Sequence, residues 1–286
     1  MKKVSTYLPS LILSVLLVFA LMLSTAALLL NVNFKSEKLK ELSAKNNLGS
    51  KIYIEIEKYY KDKYNSSGIP SNVYMDAIDE SYLKNYEDVY IDSAFAALNG
   101  NGKMSISAPK NQELEKSIEN FFLDFVDKNN YQKDEKFEDK LKSAKENAYL
   151  TVGSFCDVYK FSAMSSHGVL PKLAKIYSNR IILTFISITI TLGIIFMLLI
   201  VNRKKKVTTM YWLGISAVIS GFMSIIPSIY LIATKYFDSF SIKQAPVFTA
   251  FTSLMYKVTA MFIAVNSVLI LIGIVFIAVY GLRKQK

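Results

Sequence analysis

The sequence contains few of the residues that build disulfides, metal centres and repetitive folds. Its 286 residues include one cysteine and one histidine, which excludes an internal disulfide, a multi-cysteine zinc or iron–sulfur site and the usual multi-histidine metal centre. Six prolines and eleven glycines exclude collagen-like and low-complexity classes. We therefore expect no metal site and no cofactor.

Motifs that carry catalytic chemistry are also absent. The sequence has no H-E-x-x-H zinc helix, no G-x-x-x-x-G-K-[ST] phosphate loop and no G-x-S-x-G nucleophile elbow. Cys156 has no neighbouring cations to activate its thiol. Carboxylates between Asp76 and Asp92 fit acid–base chemistry, although a solvated helix face explains them as well. We predict that the chain is not an enzyme and keep an outer-face carboxylate enzyme as an alternative.

Long apolar runs are the dominant feature of the sequence. Four of them, at residues 7–30, 181–201, 210–233 and 258–280, reach the roughly 20 apolar residues that cross a bilayer. Their interiors contain no Asp, Glu, Lys, Arg or His, which ion-coupled pumps usually carry there. Residues 31–180 are polar and long enough for one ordinary domain.

The first apolar run has two interpretations. Lys2 and Lys3 before an apolar run, with Ser24 and Ala26 at a cleavage-like spacing, resemble a signal peptide. The run is longer than a signal-peptide core, and its apolar character continues through Leu30. We therefore predict an uncleaved transmembrane anchor over residues 1–34; cleavage would leave three spans.

Charged residues are unevenly distributed along the chain. Residues 31–180 contain 22 basic and 22 acidic side chains, whereas the rest contains 12 basic residues and one acid, which accounts for the net charge of +11. Three of these 12 basic residues, Lys235, Lys243 and Lys257, lie between the last two runs. The other nine are Lys2, Lys3, Arg203, Lys204, Lys205, Lys206, Arg283, Lys284 and Lys286.

These nine residues set the predicted topology. In a chain with four spans they all fall on one side, and short loops rich in lysine and arginine stay in the cytoplasm. Both termini are then cytoplasmic, and residues 35–178 are extracytoplasmic. Because the basic excess does not form a basic face on a folded domain, we expect no nucleic-acid partner.

The composition also bears on the source of the protein. Only three of the 34 basic residues are arginine, and isoleucine, asparagine and tyrosine are abundant, as in the products of AT-rich genomes. We predict a multi-pass protein of the cell membrane of a bacterium with a single plasma membrane; an AT-rich eukaryote is the alternative.

The polar region has the pattern of a helical domain. Apolar residues recur at helical spacing over about residues 50–64, 81–98, 112–128 and 134–164. Ile52, Ile54 and Ile56 alternate and briefly mimic a strand. Twelve of the 18 tyrosines lie in this region. They either pack at the edge of a helical core or form a peptide- or glycan-binding face.

The third apolar run carries small residues at every fourth position. Such residues let helix backbones approach closely, and hydroxyl groups bond across the helix interface. The fourth run contains one asparagine, which in lipid needs a hydrogen-bond partner. We interpret this set as a helix-packing surface or, alternatively, as a polar path; it comprises Ser216, Ser220, Gly221, Ser224, Ser228 and Asn266.

These observations predict an all-α chain: a four-span transmembrane helix bundle with a large helical extracytoplasmic domain inserted between spans one and two. The predicted divisions are an anchor over residues 1–34, a helical domain over 35–178 and a three-span region over 179–286. A short amphipathic helix is expected around residues 243–257, on the outer leaflet or beneath the outer domain.

The predicted function is non-enzymatic. The leading hypothesis is an integral membrane protein of the cell envelope whose outer domain binds a partner or ligand. Its spans would contact the lipid bilayer and either anchor the chain or pair with another membrane protein or a second copy. The main alternative is a transport or pore-forming membrane component, which the hydroxyl-lined spans and Asn266 favour.

Overall fold

The computed structural model describes residues 6–100 and 102–284. Helix makes up 83% of the structure and no strand occurs in the described part, which confirms the prediction of an all-α chain. In order, the helices are α1 (Tyr7–Asn33), α2 (Ser36–Lys45), α3 (Leu48–Ser67), α4 (Asn72–Met75), α5 (Glu80–Asn99), α6 (Gln112–Asn129), α7 (Glu135–Cys156), α8 (Phe161–Ser166), α9 (Val169–Ser178), α10 (Arg180–Val201), α11 (Lys206–Ala233) and α12 (Ala245–Lys284), with a 3₁₀ turn at Tyr236–Ser239 between the last two.

Four helices are long and apolar enough to cross a membrane. They are α1, α10, α11 and α12, with 27, 22, 28 and 40 residues. At about 1.5 Å per residue, even the shortest spans the roughly 30 Å of hydrocarbon in a bilayer. Each contains one of the four apolar runs, so the prediction of four candidate membrane helices is confirmed.

The chain divides into two compact units. The apolar unit comprises the described residues up to Lys35, Ser178–Phe240 and the described residues from Leu254 onward. The polar unit comprises Ser36–Tyr177 together with Ser241–Ser253. The polar unit therefore draws on two stretches of sequence, and Ser178–Phe240, which contains α10 and α11, lies between them in the chain.

The apolar unit is held together by buried small and apolar side chains. α1 packs against α10 and α11 around Leu17, Leu198 and Trp212. α11 and α12 meet at two glycines: a Cβ on Gly214 would lie 2.7 Å from the Gly273 carbonyl oxygen, and a Cβ on Gly273 would lie 2.8 Å from that of Gly214. Only hydrogen fits at either position, so the backbones touch directly.

The polar unit has an aromatic and aliphatic core between α3, α5, α6 and α7. The alternating isoleucines that mimic a strand belong to α3. Ile52 and Ile56 are completely buried in the core, whereas Ile54 is 60% exposed. Residues four apart share a helix face, so the helical period decides which of the three is buried.

The long helix expected over residues 134–164 is two helices. α7 ends at Cys156, and α8 begins at Phe161. The buried carboxylate of Asp157 accepts hydrogen bonds from the backbone N–H groups of Phe161 and Ser162, at 2.8 and 3.0 Å. Lys160 adopts a left-handed backbone conformation at φ 54°. The capping carboxylate satisfies the first donors of α8, and this stabilises the break.

The structure also differs from the prediction of a separate amphipathic helix around residues 243–257. This segment forms the first turns of α12, which continues without a break to Lys284. Its residues up to Ser253 belong to the polar unit, where Ala250 is completely buried in the core. The Lys51 ammonium on α3 donates to the Thr249 hydroxyl at 2.9 Å.

Candidate functional site: an aromatic pocket in the polar unit

A pocket of about 610 Å³ opens between α3 and α7. The α7 face that borders it carries Ala144 and Ala148, one turn apart. Because neither side chain extends beyond Cβ, this face leaves space that a larger residue would fill. The volume lies within the range of about 300–1,000 Å³ that is typical of small-molecule sites.

Tyrosine and phenylalanine rings form the apolar part of the pocket. The rings of Tyr60 and Tyr74 are stacked, with centroids 3.9 Å apart and planes within 6° of parallel. Tyr59 meets Tyr60 edge to face at 5.4 Å, and the Lys63 ammonium lies 5.7 Å from the centroid of the Tyr59 ring. Phe122, half-buried on α6, completes this aromatic surface.

The hydroxyl group of Tyr60 is buried without a hydrogen-bond partner. Tyr60 is only 6% exposed, and its phenol oxygen has no partner with hydrogen-bond geometry among the described residues, although the Thr151 side chain lies near it. Burial raises the pKa of Tyr60, neighbouring Tyr74 and Tyr59 add to the rise, and Thr151 opposes it. The phenol therefore stays neutral and retains both a donor and an acceptor function.

Polar and charged side chains surround the aromatic surface. Hydroxyl and amide groups come from α7 and from the end of α3, and two lysines and one aspartate carry the charge. Most of these side chains are exposed, so a ligand can reach them from solvent. The polar residues of the pocket rim are Lys63, Ser67, Asp139, Lys140, Ser143, Asn147 and Thr151.

The small-residue set predicted on α11 and α12 divides between two helix interfaces. The Ser216 hydroxyl lies 2.7 Å from that of Ser14 on α1. Gly221 faces α12 instead, where an added Cβ would lie 3.0 Å from the Asn266 carbonyl oxygen. Ser228 donates to the carbonyl of Ser224, one turn earlier in its own helix, at 2.8 Å.

Two polar atoms of this set have no partner among the described residues. The Asn266 amide donates to the Phe262 carbonyl at 2.9 Å, but its Oδ1 is buried and accepts no hydrogen bond. The hydroxyl of Ser220, also completely buried, is unpaired as well. Unsatisfied buried polar atoms are unusual and need an explanation.

Sequence reasoning missed the polar side chains of α1 and the end of α10. The Ser24 hydroxyl, interpreted as part of a cleavage-like spacing, lies 2.9 Å from that of Thr191. Buried Asn202 donates from its side-chain amide to the Ser10 hydroxyl at 2.9 Å. Three serines in an otherwise apolar run were the available signal, because each hydroxyl in such a run needs a partner.

The described members of the basic set that is predicted to set the topology lie at one end of the apolar unit. Ser10 and Asn202 join the start of α1 to the end of α10 there, and the rings of Tyr211 and Tyr280 lie 5.2 Å apart. Tyr7 packs edge to face on Trp212 at 5.6 Å. Arg203, Lys204, Lys205, Lys206, Arg283 and Lys284 are exposed beside these contacts; Lys2, Lys3 and Lys286 lie outside the described residues.

A carboxyl group is buried in the core of the polar unit. Glu87 is completely buried and accepts a 2.6 Å hydrogen bond from Ser43, while its Oε1 has no partner among the described residues. The pKa of Glu87 is raised to about 7: burial is the main cause, Asp88 adds to the rise, and Ser43 and Lys84 oppose it. Burial likewise raises the pKa of the neighbouring Cys156 thiol, which is inaccessible.

Three of the carboxylates between Asp76 and Asp92 have structural roles. Asp79 caps α5 by accepting from the Tyr82 N–H at 2.6 Å. Asp88 pairs with Lys84, and Asp92 pairs with Lys40. Among the described residues, no group of three or more His, Cys, Asp or Glu side chains is arranged to hold a metal ion.

Comparison of the chain with protein-family models, with curated proteins and with solved structures finds no match in any of the three.

Proposed function

We propose that this chain is a non-enzymatic integral membrane protein of the cell envelope. Its polar unit lies outside the cytoplasm and binds a ligand in the aromatic pocket, and its four spans anchor it. The observation that carries the proposal is the pocket itself. It combines stacked rings, an unpartnered buried hydroxyl on Tyr60 and a polar rim, and such convergence of apolar and polar groups is typical of binding sites.

The composition of the polar unit supports the four-span topology. In that topology the loop between spans one and two and the loop between spans three and four are on the same side of the membrane. Residues from both loops belong to the polar unit, and the bond between Lys51 and Thr249 joins them. An odd number of spans between the two segments would separate them.

The arrangement of basic residues supports the orientation. Six of the nine topology-setting residues are exposed at one end of the apolar unit, beside tyrosine and tryptophan rings. Aromatic rings with a polar edge favour the headgroup region, and lysine and arginine favour its cytoplasmic side. The polar unit, whose basic and acidic residues nearly balance, is then extracytoplasmic.

Hydrogen bonding within the apolar unit supports an anchoring role for the spans. The hydroxyls of Ser14, Ser24 and Thr191 are engaged in contacts between helices, and that of Ser228 bonds its own backbone. Hydroxyl groups that form these bonds stabilise helix packing and are not available to line a polar path for a solute. Because α1 provides two of these hydroxyls, we also propose that the first span is retained.

Photo-crosslinking from the pocket tests the binding function. We would introduce p-benzoylphenylalanine at Asn147 on the pocket rim and, as a control, at exposed Asn120 on α6, and irradiate intact cells. We expect an adduct of defined mass from position 147 alone. Adding Ser143→Trp, which blocks the rim, should abolish it, whereas Ser154→Trp on the same helix should not. Absence of any adduct from position 147 would refute the proposal.

Cysteine accessibility tests the orientation. In a Cys156→Ser background, we would place single cysteines at exposed Asn129 and exposed Lys205 and treat intact cells with a membrane-impermeant maleimide. We expect labelling at position 129 only, with labelling at 205 after the membrane is opened. The reverse pattern would invert the topology and rule out an extracytoplasmic pocket.

A second candidate function is a transport or pore-forming component. The unpaired Ser220 hydroxyl and Asn266 Oδ1 favour it, because a polar solute or water would satisfy both. Reconstituted vesicles containing the protein should then pass a solute or ion, and Asn266→Leu should abolish the flux. Vesicles that stay impermeable would leave the anchoring role as the better account of the spans.

A further inference from the structure

The chemistry of the pocket indicates which class of ligand it takes. We propose that the pocket binds a carbohydrate, with the sugar ring on the aromatic surface and the sugar hydroxyls on the polar rim. This inference rests on the proposed function of the polar unit as a binding domain and adds the class of ligand.

The shape and chemistry of a sugar ring match the lining of the pocket. A pyranose has an apolar face of C–H groups and a rim of hydroxyls. The faces of aromatic rings carry partial negative charge and attract the weakly positive C–H groups. Tyr59 and Phe122 are only partly buried, so their rings remain available to a ligand.

The buried hydroxyl of Tyr60, whose side chain lines the pocket, also favours a sugar. Tyr60 keeps a neutral phenol that both donates and accepts, yet it bonds nothing among the described residues. A buried group of this kind costs about 1–3 kcal/mol when unsatisfied. The oxygen is covered by its neighbours, so a sugar hydroxyl, which also donates and accepts, bonds it when the rim side chains move aside.

The pocket rim offers both hydrogen-bond donors and hydrogen-bond acceptors. Ser143 and Thr151 supply hydroxyls and Asn147 supplies an amide, so donors and acceptors are both present. An acyl chain is disfavoured because it would desolvate these groups without bonding them.

A peptide is the closest competing ligand. Peptides dock on exposed sheet edges, in apolar grooves or on aromatic grooves that hold a polyproline helix. No strand exists in the described part of the chain, and the rim of this pocket is polar on the α7 side. The lining therefore favours a sugar over a peptide.

Saturation-transfer NMR on the full chain tests the inference. The protein would be held in a detergent without a sugar headgroup, and the probes would be N,N′-diacetylchitobiose, cellobiose and maltose at millimolar concentration, with tetraalanine as the competing class. We expect at least one disaccharide to receive saturation, most strongly at the C–H protons of one ring face.

Tyr60→Phe is the decisive variant. It removes the unpartnered hydroxyl and keeps the stacked ring, so the fold is retained, and we expect disaccharide affinity to fall about fivefold. Tyr64→Phe, on the same helix but outside the pocket, is the matched control and should leave affinity unchanged. Unchanged affinity in Tyr60→Phe would overturn the assignment.

The remaining outcomes separate this inference from the proposed function. If tetraalanine binds and the three disaccharides do not, the carbohydrate assignment is wrong and the pocket remains a binding site. If no probe binds but crosslinking from position 147 yields its adduct, the same conclusion holds. If no probe binds and no adduct forms, both proposals fail.

Discussion

Ser14 and Ser216 are 202 positions apart in sequence, and their hydroxyl oxygens lie 2.7 Å apart in the apolar unit. Both side chains are more than nine-tenths buried. Ser216 also approaches the backbone carbonyls of Ser14 and Trp212, at 3.0 and 2.8 Å. Such a pair fixes the register of α1 against α11, because a hydroxyl in an apolar interface has few other partners.

The coupling between these two serines is measurable. Ser14→Ala and Ser216→Ala should each lower the stability of the detergent-solubilised protein, and the double variant should lose less than the sum. From bonds of this kind in membrane bundles, we expect a coupling of about 0.6 kcal/mol in a double-mutant cycle of denaturant unfolding. Ser14→Ala combined with Ser228→Ala, which does not contact Ser14, should be additive. Additivity in the Ser14–Ser216 cycle would contradict the contact.

The glycine contact between α11 and α12 leads to a second prediction. Gly273→Leu should lower the free energy of unfolding by about 2 kcal/mol or more, because its Cβ alone meets the Gly214 carbonyl oxygen at 2.8 Å. Gly193→Leu on α10 is the control, since an added Cβ there meets nothing within 4 Å. Thermal unfolding followed by size-exclusion chromatography measures both. Equal melting temperatures for Gly273→Leu and Gly193→Leu would argue against the close contact between α11 and α12.

Buried Glu87 makes the stability of the polar unit depend on pH. Burial raises the pKa of Glu87 to about 7 in the folded chain, above the ordinary value of 4.5. Between these two values the unfolded chain loses a proton that the folded chain keeps, so stability falls as pH rises. The difference corresponds to about 3 kcal/mol, fully developed above pH 7.

Glu87→Gln tests this dependence. The amide can still accept from Ser43 but does not titrate, so the variant should lose the decline in unfolding free energy between about pH 4.5 and 7. Glu146→Gln, at an exposed position on α7, should keep it. Denaturant titrations at several pH values provide the measurement, and a decline that persists in Glu87→Gln would assign it to other groups.

The single cysteine should be protected in the folded protein. Cys156 is completely buried, and burial, with Glu87 and Asp157 nearby, raises its pKa, so little reactive thiolate is present. We expect a small maleimide to label it at least about 100-fold more slowly than a cysteine introduced at Asn129 in the Cys156→Ser background. Unfolding in denaturant should abolish the difference; fast labelling of the native chain would contradict the burial.

Three of the four candidate membrane helices, α1, α10 and α11, were predictable from sequence to within a few residues, whereas the pocket was not. Hydropathy is a local property, so the runs at 7–30 and 181–201 coincide with α1 and α10. The pocket requires Tyr60, Tyr74, Phe122 and Thr151 from four different helices to converge. The sequence of α7 gave only a weak indication of the pocket. Ala144 and Ala148 lie on one face beside polar residues, but a helix that simply faces solvent has the same pattern.

The sequence pattern also did not predict where α7 ends and where α12 begins. Nothing near Asp157 in the sequence marks a break, because the carboxylate caps α8 only once Lys160 turns the backbone into the left-handed region. The apparent boundary before span four was misleading for the opposite reason. Polar residues between 241 and 257 suggested a separate helix, but the segment is part of α12, which continues to Lys284, and its residues up to Ser253 belong to the polar unit.

The sequence by itself determined the helical class, the four apolar helices and the uneven distribution of charge, because composition and periodicity act over one or two turns of chain. Only the tertiary structure decided which serines meet, which glycines allow backbones to touch and where Tyr60 leaves its hydroxyl unpaired. These depend on distances between residues far apart in sequence, and packing in three dimensions alone fixes such distances.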